Sequence, residues 1–366
     1  MPDETRINLT EDFFGPTERT FLRHGGLTVG LFQYSSGVRA MRLRGTKGEI
    51  VVLPFQGQQV WDATFEGRRL TMKAMRQEPI PTQSYLEGFG AFLVHCGITA
   101  MGVPGPTDTH PLHGELHHAR FSDVSLAVSE DARGRWISIG GAYRHTVAFA
   151  CDFVVSSRIT LYEQETLFDV RLELRNLKGT VMEYMYMAHP DFRPVDNGRF
   201  VYSARCNREN VRVRRSIPPH MKASGQYANL LDSLSNDPQK HHILRPGEAF
   251  DPEVVSFIDR YIADVEGWAH SMLVHPDGFA FYVGHRPSEF DHVLRWICRT
   301  PDQDCLGIAL PATAEPEGYS AEKAKGNVKT LAPGESRCFN LKAGLLCPPE
   351  ARALETKIGE LLATNR

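Results

Sequence analysis

Between residues 166 and 175, apolar and charged side chains alternate strictly. Phe168, Val170, Leu172 and Leu174 alternate with Asp169, Arg171, Glu173 and Arg175. A period of two with one wet face predicts an antiparallel strand rather than a buried parallel one. Asn176-Leu-Lys-Gly-Thr reads as a turn, and 181–188 as the return strand. Aromatic and β-branched residues mark further strands at 27–34, 49–54, 58–65, 136–139, 149–155, 200–204, 269–274, 279–284, 305–310 and 337–345. Helical spacing is clear in one place. At 348–363, Leu354, Ile358, Leu361 and Leu362 fall at i, i+4, i+7 and i+8, behind Pro348 and Pro349. A short second helix is expected near 229–234. There is no internal repeat and no break in composition. The pattern predicts an all-β fold, one domain over residues 1–366, with two stacked sheets and a C-terminal helix as a lid or edge cover.

Composition narrows the function. Among 366 residues, 42% are hydrophobic and 23% charged, as in an ordinary globular protein. Forty-one basic against 44 acidic residues leave a net charge of −3, so no footprint for nucleic acid or an anionic membrane is present. The apolar runs, such as 278–284, fall far short of the roughly 18 residues that signal a membrane-spanning helix. The seven cysteines are odd in number, irregularly spaced and without CxxC, which argues for reduced thiols rather than a disulfide framework. With a polar start lacking the order of a secretory signal, a cytoplasmic protein is expected.

Fifteen histidines are many, and five of them, His95, His110, His113, His117 and His118, fall within 24 residues. Pro104, Gly105, Pro106 and Pro111 prevent a helix there, so His113 and His117 do not share a helical face. A metal site from His95, His110, His113 and Glu115 is one possibility, but no known ligand spacing fits and no metal is expected. The other is acid–base chemistry, since an imidazole titrates near pH 6.5. A partner candidate lies on a separate element. Alternation puts Met185, Met187 and His189 on one strand face and Tyr184, Tyr186 and Ala188 on the other, with Pro190 closing the strand and Asp191 and Arg193 following.

These residues resemble the aldose 1-epimerase (galactose mutarotase-like) superfamily. Leu112-His-Gly-Glu resembles its Leu-His-Gly-Gly turn, Met187-Ala-His-Pro-Asp-Phe its Thr-Asn-His-x-Tyr-Phe strand end, and Leu331-Ala-Pro-Gly-Glu-Ser the turn before its last strand. The two histidines lie 76 residues apart, within the family's usual range. Gly57 to Asp62, His95 to Gly97 and His110 to Glu115 resemble a poorly characterised branch of the superfamily. The resemblance spans about 27–345. It implies a galactose mutarotase-like β supersandwich that binds a small-molecule sugar and needs no cofactor. It further implies an isomerase that opens and recloses the sugar ring, with His189 as the acid and His113 hydrogen-bonding the ring oxygen or a neighbouring hydroxyl. Arg76 would be its sugar-binding arginine.

One feature of the family is missing. Its base is a glutamate on a late strand, and the matching position falls near Ala309 or Leu310. Glu315, five residues beyond Leu310, is the expected base, with Glu317, Asp191, Glu115 and Asp62 as fallbacks. His110, Asp191, Arg193 and Trp296 complete the expected sugar contacts. Asp191 and Arg193 would orient His189 or grip hydroxyls, and Trp296 would stack on an apolar sugar face. Two alternatives stay open: a non-catalytic sugar-binding protein, favoured by the absent glutamate, and a metal-dependent sugar isomerase or lyase using the central histidines.

Overall fold

A strand that is wet on one face must lay its dry face on a second layer. The chain meets this requirement with two large sheets. The structure is a computed structural model that describes residues 4–219, 221–223 and 225–365. One sheet runs, edge to edge, through Thr5–Asn8, Ser122–Asp131, Gly134–Val147, Cys151–Tyr162, Leu167–Asn176, Ser336–Leu346, Ala280–His285, Ala269–Val274 and Arg199–Tyr202. The other runs through Val211–Val213, Phe250–Ile258, His292–Arg299, Asp304–Ala312, Met182–Pro190, Leu93–Ile98, Val60–Phe65, Gly48–Val52, Arg39–Arg44, Leu27–Gln33 and Arg19–His24, with two short strands attached. The strand pairs are antiparallel. The architecture is the expected sandwich of two antiparallel sheets. Between the sheets, Phe168, Val170, Leu172 and Leu174 of the first share a core with Tyr184, Tyr186 and Ala188 of the second.

The second sheet buries its other face too. Val94, Cys96, Met185, Met187, Val255, Phe257, Leu294 and Leu310 form a separate apolar cluster there, under the loops. The faces predicted for Met182–Pro190 are thus the observed ones. The predicted hairpin is not. Leu167–Asn176 pairs with Cys151–Tyr162 and Ser336–Leu346, while Met182–Pro190 crosses to the second sheet beside Leu93–Ile98. The physical reason is burial. A strand dry on both faces does not belong in a sheet whose outer face meets water. Asn176 holds the crossover. Its side-chain amide donates to the Thr180, Leu331 and Ala332 carbonyls, and its side-chain oxygen accepts from the Lys178 amide at 2.9 Å.

Several strands carry no alternation to read. Leu93–Ile98 is buried at all six positions, and His292–Arg299 hides Arg295 completely. Arg295 instead lies over the rings of Phe200 and Tyr202, 4.0 and 4.4 Å from their centroids. Among the described residues the α-helices are Tyr227–Asn236, Tyr319–Lys325 and Pro348–Thr364. Among the described residues no helix is long and apolar enough to cross a membrane.

The last helix starts on prolines, with the Cys347 amide donating to Glu350 at 2.8 Å. It lays Ala351 and Ile358, flanked by Leu354 and Leu362, on Met272, Ala280, Tyr282 and Leu346. It therefore covers the outer face of the first sheet and is no lid over the second. Ile358→Ala leaves a hole in this cluster and is expected to lower unfolding free energy by about 2–4 kcal/mol. Chemical denaturation checks this.

Candidate functional site

The loops over the second sheet leave a cleft of about 410 Å³, and its floor is the apolar face just described. Met187, Val255, Leu294 and Leu310 form that floor, and His113, His189, Glu253, Trp296 and Arg214 supply the chemistry around it. Parity sets the membership. Glu253 has the same parity as Val255 and Phe257, and Trp296, which pairs with Val255, projects from the same side.

His189 ends its strand almost buried, with Nδ1 3.0 Å from the Asp191 carboxylate. Asp191 is fully buried behind it. Burial raises the Asp191 carboxyl above its ordinary range, while the neighbouring imidazole pulls it back. An Nδ1–H donated to Asp191 leaves Nε2 to serve the cleft. His113 arrives from a turn. It has φ +61°, followed by Gly114 at φ +79°, where a Cβ would meet the Gly97 and Ala100 carbonyl oxygens within 2.5 Å. Only glycine fits there. The His113 carbonyl accepts from the Gly97 amide at 2.9 Å. This places the two imidazoles 6.0 Å apart, nearly perpendicular. Tyr85 packs on His113 at 4.5 Å.

His189 also packs near Trp296, 5.6 Å between ring centroids. Its indole N–H donates to Glu253 at 2.6 Å. The second Glu253 oxygen pairs with Arg214, whose Nε lies 3.8 Å from Glu317. Both Glu253 and Arg214 are buried, so each compensates the other. Glu253 is the carboxylate that reading the sequence missed. Its strand, Phe250–Ile258, is buried at every position from Glu253 onward and so shows no alternation, and nothing local separates Glu253, just after Asp251 and Pro252, from a loop acid.

The expected residues thus divide. His113, His189 and Trp296 line the cleft, with Asp191 behind His189. Glu315 does not line it. Its oxygens accept from Arg212 and Lys325 at 2.6 Å each. Burial would raise this carboxyl, but the two cations hold it below the usual range. Leu310 occupies the floor where the family's glutamate was expected. His110 ties the histidine loop to a helix, accepting the Tyr319 amide at 3.3 Å and lying 2.8 Å from the Pro111 carbonyl. Arg193 is exposed. Arg76 lies in an adjoining groove and donates to the Glu87 carbonyl at 2.6 Å.

The fallback acids do structural work. Glu115 accepts from the Ile98 and Thr99 amides and the Thr99 hydroxyl, and Asp62 from Thr71 and Arg69. His95 points into the inter-sheet core, 2.8 Å from the Tyr186 hydroxyl, where burial pushes its pKa down to about 4. His95, His110, His113 and Glu115 therefore do not converge. Among the described residues no three His, Cys, Asp or Glu side chains form a group able to hold a metal ion.

Comparison with known proteins agrees with this architecture. Residues 35–345 match the model of a family described as a domain of unknown function, DUF4432. The chain belongs to that family. No curated protein matches it. A candidate aldose 1-epimerase from Klebsiella pneumoniae superimposes with a TM-score of 0.83 at 18% identity, covering 100% of this chain and 97% of that one. A candidate aldose 1-epimerase from Escherichia coli K12 gives 0.54 at 14% identity, covering 83% and 98%. A galactose 1-epimerase from Lactobacillus acidophilus gives 0.51 at 10%, covering 94% and 99%. At these identities the likeness establishes a galactose mutarotase-like fold for this DUF4432 chain.

The Glu315 cluster has a pH signature. A carboxyl held below its unfolded value of 4.5 stabilises the fold above that pH and loses the contribution as pH falls through its folded value. Glu315→Gln is expected to lower stability by about 1–3 kcal/mol at pH 7, with the deficit shrinking below pH 4.5. Melting curves across pH check this. Were Glu315 the base, turnover would vanish at full stability instead.

Proposed function

We propose that this protein is a cofactor-independent sugar epimerase of the mutarotase type, acting at the anomeric carbon. The observation that carries the reading is the buried His189–Asp191 pair. It shares the cleft with His113, 6.0 Å from His189 between ring centroids, and with Trp296, 5.6 Å away, whose indole holds a buried carboxylate, Glu253. Ring opening needs an acid at the ring oxygen and a base at the anomeric hydroxyl.

In this reading the His189 imidazolium donates its Nε2 proton to the ring oxygen as the bond from that oxygen to the anomeric carbon breaks. Glu253 accepts the proton of the anomeric hydroxyl, and the anomeric carbon becomes an aldehyde. Rotation about the adjoining carbon–carbon bond presents the other face. Reclosure returns both protons in reverse, so the enzyme ends as it began. Asp191 is a positioning residue that holds the His189 ring. His113 hydrogen-bonds the ring oxygen or a neighbouring hydroxyl. Trp296 packs on the apolar face of the sugar, as aromatic rings in sugar sites do. Each Glu253 oxygen already accepts one protein hydrogen bond, yet a carboxylate offers about four lone-pair sites, which leaves room for a substrate hydroxyl.

Exchange NMR of anomeric signals over a panel of aldoses tests this. The native protein is expected to accelerate exchange of at least one sugar. His189→Ala and Glu253→Gln are expected to lower it by about 10² to 10⁴-fold, with melting curves confirming that each variant is folded. The Leu310 position favours a second reading, a sugar binder without turnover. Binding of an aldose at the spontaneous exchange rate would select it.

A further inference from the structure

The cleft does not end at its own rim. A second groove of about 570 Å³ adjoins it, and Met75, Leu86, Phe89 and Gln303 line both. Met75 and Leu86, both in this shared lining, are 71% and 52% exposed. They form an apolar ridge between two polar ends. One end is the acid–base centre. The other carries Ser35, Arg76, Gln77, Glu78 and Glu87.

These groups suit hydroxyl recognition. The Ser35 hydroxyl donates to Glu78 at 2.7 Å, and Arg76 is steadied through Nε by the Glu87 carbonyl at 2.6 Å. A charged donor fork and a carboxylate together offer both halves of a hydrogen bond to a diol. One arginine against two glutamates leaves no excess of positive charge, so the groove is not built for an anion. Polar groups at two ends with an apolar ridge between them match two sugar rings, each presenting an apolar face.

We propose that the groove is a second sugar subsite and that the substrate class is a reducing disaccharide or longer oligosaccharide. Its reducing-end ring sits at His189 and Glu253, and the next ring crosses the Met75–Leu86–Phe89 ridge toward Arg76 and Glu78. This inference rests on the cleft being the sugar site proposed above. It also gives Arg76 a role the single cleft does not.

The test compares maltose, cellobiose, lactose and melibiose with glucose and galactose, by calorimetric binding and by anomer-exchange NMR. At least one disaccharide is expected to bind, and to saturate exchange, at a concentration about tenfold below its parent monosaccharide. Gln77→Trp fills the groove from an exposed position, and Glu78→Ala removes an acceptor. Both are expected to raise KM for that disaccharide until the preference is gone, with kcat little changed. Exchange without any disaccharide preference overturns the subsite and leaves the epimerase reading standing. A preference in binding without exchange does the reverse. A preference that survives both substitutions, or no binding by any saccharide, overturns the subsite.

Discussion

The strand Met182–Pro190 must hide both of its faces, and the rest of the molecule is arranged around that requirement. Tyr184, Tyr186 and Ala188 take their burial from the first sheet. Met185 and Met187 have no third sheet to meet and are covered by loops and neighbouring strands. Loops cover a surface less completely than a sheet does, and the gap they leave is the cleft. His189 sits at the end of the same face, so the strand that closes the core also presents the imidazole.

Polar groups in such a place need partners, because an isolated buried charge is expensive. The structure supplies them in short chains. His189 leans on Asp191, and Trp296 and Arg214 share the oxygens of Glu253. Glu115, by contrast, is consumed in holding the turn that carries His113, and Glu315 in holding Arg212 and Lys325. Glu253 and Glu315 are each held at both oxygens, and what separates them is position: of the two, Glu253 lines the cleft.

Much of this was legible in the residues alone. Alternation identified the strand faces, the i, i+4 spacing identified the last helix, and the motifs around His113 and His189 pointed to the two imidazoles that now face one another. These features are local, since backbone geometry fixes the periods of two and 3.6 wherever they occur. Strands dry on both faces, such as Leu93–Ile98, gave no periodic signal.

What only the tertiary structure decided was pairing. The sheet that receives Met182–Pro190, the side of the molecule that the last helix covers, and the glutamate that reaches the cleft are all set by contacts between distant segments. Glu253 and Trp296 are 43 residues apart, and Trp296 touches both Glu253 and His189. The chain by itself fixed which side chains share a face. Burial of both faces of one sheet chose which faces meet, because that energy belongs to the packed assembly and to no single stretch of sequence.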